Sequence, residues 1–278
     1  MSAARSVKVG EIELGGRREL LLIAGPCVLE EPDEMFRTAR TLAELTAELG
    51  VPFVFKSSFL KDNRTRGDSP RGPGIEEGLR LLSAIKAEIG CPVLTDVHLP
   101  EEIAQAAEVA DILQIPAFLS RQSRLLEAAA ASGRCVNVKK AQFMAAEDLA
   151  HVVDKLVESG CENILLTERG TCFGYHNLVV DFRGFAVAHE LGWPWIFDVT
   201  HSLQQPSAQG GISGGTPAMA PLMARAAVAA GVQGLFLEAH PEPSRAWSDP
   251  ATQLPLDSLR SWLPQVVELH RHLWLRSN

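Results

Sequence analysis

The sequence predicts an α/β fold, a (β/α)8 TIM barrel preceded by an N-terminal β-hairpin, on three observations. Eight short apolar runs recur along the chain, helix-like segments lie between most of them, and several of those segments end in glycine. Strand signals alternating with helix signals belong to a parallel sheet, and about 250 residues is typical of the closed barrel. An open doubly wound sheet is the other candidate. No Gly-x-Gly-x-x-Gly follows the first strand, which weakens its dinucleotide-binding form.

Taken in order, Val7 and Val9, then Ile12 and Leu14, alternate as hairpin strands do, which makes residues 1–16 an extension. The eight runs are LLLIAG 20–25, PFVFK 52–56, PVLTD 92–96, DILQI 111–115, CVNVKK 135–140, NILLTER 163–169, WIFDVT 195–200 and GLFLEA 234–239. Helical segments include EMFRTARTLAELTAELG, GIEEGLRLLSAIKAEIG and APLMARAAVAAG, closed by Gly50, Gly90 and Gly231, with Gly160 ending a further one. A helix C-terminus favours a residue that tolerates positive φ. The glycine-rich piece QQPSAQGGISGGTP, 204–217, reads as a long mobile loop after strand seven. No linker or break in composition interrupts the pattern, so 1–278 reads as one barrel domain.

Composition narrows the function classes. Apolar residues make up 46% and charged residues 22%, as in a soluble protein with a sizeable core. A formal charge of −8 argues against a nucleic-acid-binding surface, while leaving room for a locally basic site. No run approaches the roughly 18–20 apolar residues of a membrane span. The N-terminus lacks a signal-peptide core. Five cysteines without CxxC spacing suit a reducing compartment, and the cytoplasm is the expected location.

At or just past the strand ends stand Cys27, Lys56, Asp96, Gln114, Lys139, Arg169, His201 and Glu238. A barrel gathers these ends on one face, where its active site is built. Lys56, Lys61, Lys139 and Arg169 can surround a multiply charged anion, and Arg64 with Arg121 a second one. Cys27, His201, Glu238 and Asp249 offer the thiolate, imidazole and carboxylates of a transition-metal site. They come from strands one, seven and eight and the following loop, which closure of a barrel makes neighbours. Taken singly, Cys27 would be a small core hydrophobe and His201 an ordinary hydrogen-bonding residue.

The stretches FKSSFLKDNRT 55–65, RGPGIEEGL 71–79, LQIPAFLSRQ 113–122, VNVKKAQF 136–143, LTERGTCFGYHNLVVDFRG 166–184, FDVTHSLQ 197–204 and GLFLEAHPEP 234–243 resemble the 3-deoxy-D-manno-octulosonate 8-phosphate synthase (KDO 8-phosphate synthase) family nearly end to end. The resemblance implies a transferase of lipopolysaccharide biosynthesis that condenses phosphoenolpyruvate with D-arabinose 5-phosphate and water. Carried over by motif, Lys56, Ser58, Lys61, Gln114, Ala117, Lys139 and Arg169 would bind phosphoenolpyruvate. Asn63, Arg64, Thr65, Asp96, Phe118 and Arg121 would bind arabinose 5-phosphate. Lys56, Lys61, Asn63, Lys139 and His201 would be catalytic. Arg121 reaching a neighbouring subunit's sugar phosphate would imply a homotetramer. The family has metal-dependent and metal-independent classes, the second with asparagine at the position of Cys27. Cys27 therefore points to a divalent metal held by Cys27, His201, Glu238 and Asp249, with zinc, iron and manganese all compatible.

The stretch KDNRTR departs from the family's usual Lys-Ala-Asn-Arg-Ser-Ser, altering charge at Asp62 and Arg66. Two other readings compete. One is the related 3-deoxy-D-arabino-heptulosonate 7-phosphate synthase, which uses erythrose 4-phosphate and carries a Lys-Pro-Arg-Thr stretch that is absent here. The other is a non-catalytic sugar-phosphate-binding barrel. Cys91, Cys135, Cys161 and Cys172 read as packing, and His270 and His272 as parts of a terminal helix covering the barrel.

Overall fold

The computed structural model describes residues 5–16, 18–62, 69–209 and 212–275. Eight parallel strands form the barrel: β1 (Leu21–Gly25), β2 (Phe53–Lys56), β3 (Val93–Asp96), β4 (Ile112–Ile115), β5 (Cys135–Lys139), β6 (Ile164–Glu168), β7 (Trp195–Asp198) and β8 (Gly234–His240). Neighbours in sequence pair in parallel, and β8 pairs with both β7 and β1, so the sheet has no open edge. Each strand is buried over its whole length. That burial explains why the sequence shows continuous apolar runs here rather than alternation.

The covering helices are α1 (Pro32–Leu49), α2 (Ile75–Ile89), α3 (Ile103–Val109), α4 (Ser123–Ala131), α5 (Leu149–Glu158), α6 (Gly184–Leu191), α7 (Ala220–Ala229) and α8 (Leu259–His270). In α1, Pro32 opens the first turn beside Asp33 and Glu34, and Gly50 closes the helix at φ 64°. Its buried residues Met35, Thr38, Ala39, Leu42, Leu45 and Thr46 recur at three- and four-residue spacing, one face turned to the barrel. The terminal helix buries Trp262, Leu263, Val266 and Val267, as expected for a cover.

The N-terminal hairpin, Val7–Val9 with Ile12–Leu14, lies across the bottom of the barrel. Its Lys8 N–H donates to Asn163 Oδ1 at 2.8 Å, and the Arg5 N–H donates to the Gly192 carbonyl. Both partners precede barrel strands. The hairpin thus shields that end, and chemistry is left to the opposite mouth.

Two expectations change. Within 204–217, read from sequence as a loop, Gln204–Gln209 and Ile212–Gly215 pair as antiparallel strands. A Cβ at Gly215 would stand 2.5 Å from Thr252 Cγ2 and 2.9 Å from the Ala251 carbonyl oxygen. Close approach to the loop after β8, rather than looseness, explains that glycine. Second, Cys172 is exposed, because a further hairpin, Thr171–Gly174 with Asn177–Val179, carries it away from the barrel. Cys91, Cys135 and Cys161 are buried, as packing residues are.

Candidate active site at the strand ends

Closure of β8 on β1 sets Glu238 level with Gly25, two residues before Cys27. Lys56, at the end of β2, reaches across the mouth and donates to Glu238 Oε1 at 2.6 Å and to the Cys27 carbonyl at 3.2 Å. Both members of this ion pair are fully buried. The Lys56 ammonium holds the Glu238 carboxyl down at about 2 against the desolvation that would raise it.

On the next sector Asp96 gathers three donors. Ser58 Oγ at 2.5 Å and Lys61 Nζ at 3.0 Å share Oδ2, and Gln114 donates to Oδ1. Asn137 then donates to Gln114 and Thr167 to Asn137, a polar chain through the buried lumen. Burial works against the Asp96 charge, but Lys61 and Lys56 keep its carboxyl well below the usual range.

The third sector centres on Asp198, which the sequence reading did not single out. It is fully buried and accepts from Lys139 Nζ, from the His201 N–H at 2.9 Å and from His201 Nδ1 at 2.7 Å. Lys139 also stands 3.5 Å over the Phe236 ring. Beside it the Arg169 guanidinium donates only to neutral oxygens, the His201 carbonyl at 3.2 Å and Gln204 Oε1 at 3.0 Å. Among the described residues no carboxylate stands in direct contact with it, though burial is opposed by the nearby charges of Asp198, Asp249, Glu168 and Glu238. Gln204 in turn donates to Asp249 Oδ1 at 3.3 Å.

Comparison with known proteins matches residues 3–274 to the family model described as DAHP synthetase I family. The chain belongs to the DAHP synthetase I family. Among curated relatives, 2-dehydro-3-deoxyphosphooctonate aldolase of Desulfatibacillum aliphaticivorans is 50% identical over 252 residues, 91% of this chain and 92% of the relative. Proteins of the same name from Trichlorobacter lovleyi and Alkalilimnicola ehrlichii are 49% identical over 265 residues and 51% over 256. These alignments cover 95% and 92% of this chain, and 97% and 92% of the relatives.

For this member of the family, the barrel brings most of the residues singled out from sequence to one mouth. Lys56, Ser58, Lys61, Asp96, Gln114, Ala117, Lys139 and Arg169 are buried there. Phe118 and Arg121 are exposed on the short β4–α4 connection. Asn63, Arg64 and Thr65, with Arg66, lie outside the described residues. The sequence reading missed Asp198 and Gln204. Asp198 does carry a local signal, since it caps the single turn Val199–Ser202 that bears His201.

Ligand atoms of Cys27, Glu238 and Asp249 all lie within 4.8 Å of one another, and His201 Nε2 approaches Glu238 Oε2 at 3.6 Å. Glu238 Oε2 is buried without a hydrogen-bond partner. The Asp198 carboxyl is held far below its usual range by His201 and Lys139, so it can only accept, and the shared proton belongs to Nδ1 of His201. In neutral imidazole this turns the Nε2 lone pair toward the partnerless oxygen, an arrangement suited to an intervening cation. Burial and the charges of Glu238 and Asp249 push the Cys27 thiol up, and it donates to Asp249 Oδ2 at 3.2 Å. A cation that replaces this proton relieves both effects. Cys27, Glu238 and Asp249 form a group that could hold a metal ion, and His201 stands beside it next to Glu238.

Glu30, Glu34 and His240 form a second close group. Its protons are already placed: the Glu242 N–H donates to His240 Nδ1, which leaves the neutral ring's proton on Nε2, 2.8 Å from Glu34. Those contacts brace β8 against α1.

Proposed function

We propose that this chain condenses phosphoenolpyruvate with D-arabinose 5-phosphate and water, forming 3-deoxy-D-manno-octulosonate 8-phosphate and inorganic phosphate in lipopolysaccharide precursor synthesis, as a cytoplasmic enzyme. One observation carries the reading: Lys56, Lys61, Lys139 and Arg169 converge beside the Cys27–Glu238–Asp249 group at one barrel mouth. The name of these relatives describes the same eight-carbon phosphorylated acid. It favours this reaction over the seven-carbon one and over a non-catalytic barrel.

The three phosphoenolpyruvate charges meet Arg169, whose fork is free of carboxylates among the described residues, and the lysines around it. Holding both reactants turns a bimolecular encounter into an oriented one. A carbon–carbon bond forms from C3 of phosphoenolpyruvate to the sugar aldehyde, water adds at C2, and the C2–O bond breaks to release phosphate. Lys139 and Arg169 stabilise charge on the departing phosphate. Lys61 and Ser58, both anchored on Asp96, keep that side of the mouth rigid. Asn63, Arg64, Thr65 and Phe118 are assigned to the sugar phosphate by motif.

A zinc, iron or manganese ion held by Cys27, His201, Glu238 and Asp249 would supply a Lewis acid for the aldehyde or a water. His201 serves as its imidazole ligand, oriented by Asp198. The reading extends to a homotetramer in which Arg121 serves a neighbouring site. Supporting it, Phe118, Phe143, Phe173 and Tyr175 are exposed, a large aromatic area for a monomer surface.

The test is phosphate release from phosphoenolpyruvate with each aldose phosphate, before chelation, after chelation, and after metal is restored. Activity with arabinose 5-phosphate, lost with the metal and regained with it, is the expected outcome. Turnover of erythrose 4-phosphate alone would reject the assignment of substrate, and full activity without metal would reject the metal-dependent class.

A further inference from the structure

We infer that Asp198 is a positioning residue that couples metal affinity to anion affinity, by holding His201 and Lys139 with one carboxylate. The inference rests on the proposed roles of those two residues. It draws on contacts that neither the family match nor the relatives' names describe.

The geometry has three parts. Asp198 Oδ1 accepts the His201 backbone N–H at 2.9 Å, which fixes the turn carrying the imidazole. Oδ2 accepts Nδ1–H of the same ring at 2.7 Å, which fixes the tautomer and aims Nε2 at Glu238. The same Oδ2 also accepts from Lys139 Nζ, which approaches from β5 over the Phe236 ring. Phe236 is the register partner of Asp198 on β8, so the ring under Lys139 stands beside the shared carboxylate. Asp198 is wholly buried, out of reach of bulk solvent.

One oxygen serving two donors makes their occupancies interdependent. An anion that draws Lys139 toward itself leaves Oδ2 to His201, and a carboxylate that bonds more fully to Nδ1–H raises the basicity of Nε2. Metal affinity then rises when the anion is bound. By linkage, a metal on Nε2 must raise anion affinity by the same factor. The second lysine of the anion set stands in a parallel relation, since Lys56 shares Glu238 with the proposed metal position. Asp198 is the member of this pair of carboxylates that would touch neither metal nor substrate.

The experiment titrates purified metal-free protein with Co2+ and follows the thiolate charge-transfer absorption of Cys27. It is run alone, with saturating phosphoenolpyruvate, and with inorganic phosphate as a probe independent of the proposed reaction. In the wild type either anion tightens Co2+ binding about fivefold or more, the lower end of typical coupling. Asp198→Asn weakens Co2+ binding by roughly 10–100-fold, the usual cost of losing a supporting carboxylate, and brings the ratio with and without anion close to one. Equal Co2+ affinity in wild type and variant, no anion effect in wild type, or a full anion effect in Asp198→Asn each overturn the inference.

Should Asp198→Asn fail to fold because Lys139 is left buried and unpaired, Asp198→Asn with Lys139→Met removes that charge and keeps the His201 readout. A wild type that shows the coupling but no turnover leaves the role of Asp198 standing and rejects the reaction. Turnover without any Co2+ band rejects both the metal assignment and the role of Asp198.

Discussion

Lys56 and Glu238, 182 residues apart in the chain, form a buried ion pair at 2.6 Å, and Oε2 of Glu238 has no hydrogen-bond partner among the described residues. Removing one member of such a pair typically costs about 3–5 kcal/mol, because an uncompensated charge remains in the interior. Glu238→Gln should therefore lower the urea midpoint of the metal-free protein far more than the paired change Lys56→Met with Glu238→Leu. Equal loss in the two proteins would show that the pair does not compensate its own burial.

The same carboxyl sets an acid limit. Its folded value, about 2, lies below the ordinary 4.5, so between these values the unfolded chain binds more protons. The stability it contributes is complete above pH 4.5 and is lost as pH falls toward 2. Urea midpoints of metal-free wild type and Glu238→Gln across this range should converge as acid is added. Parallel curves would contradict the depressed carboxyl.

Gln204 joins Arg169 to Asp249, which ties the anion side of the mouth to the metal side. Gln204→Ala leaves the guanidinium one acceptor short, a loss of about 1.5 kcal/mol for a hydrogen bond to a charged group. KM for phosphoenolpyruvate should rise roughly tenfold, with kcat much less affected. An unchanged KM would mean that the His201 carbonyl alone orients Arg169.

Gly25 is required by close approach rather than by dihedral angle. A Cβ there would lie 2.0 Å from the Lys56 carbonyl oxygen, which is backbone and cannot swing aside. Gly25→Ala should force β1 and β2 apart and destabilise the fold by about 1–3 kcal/mol or more. Thermal melting, with activity measured on the folded fraction, checks both the stability and the displacement of Lys56.

Cys27→Ser keeps the size of the side chain but removes the thiolate. The sulfur-to-Co2+ charge-transfer band should vanish, and zinc affinity should fall by at least the roughly 10–100-fold that loss of a supporting residue costs a metal site. Retention of wild-type zinc affinity, read by competition with a chelator, would remove Cys27 from the ligand set.

The strand rhythm and the strand-end residues were legible because both are local. A buried parallel strand must be apolar along its length, and it must turn polar where it emerges at the mouth. Lys56, Lys139 and Glu238 could be picked out on that ground, whereas Cys27 taken singly read as packing until the barrel set it beside strands seven and eight. The N-terminal hairpin was legible from its alternation, but the two hairpins that follow β6 and β7 were not. Glycines in 204–217 read as looseness, yet Gly215 is small because the loop after β8 passes against it. Cys172 read as packing, yet its hairpin projects from the barrel.

By itself the sequence determined the barrel class, the family resemblance and the inventory of cations and ligand-type side chains. Only the tertiary structure decided which of them face one another. Pairing of β8 with β1 brings Glu238 to Lys56 and Cys27, and the turn after β7 lets Asp198 hold His201 and Lys139 together. The physical reason is reach: a propensity acts over a few residues, whereas an ion pair across a closed barrel exists only once the last strand has met the first.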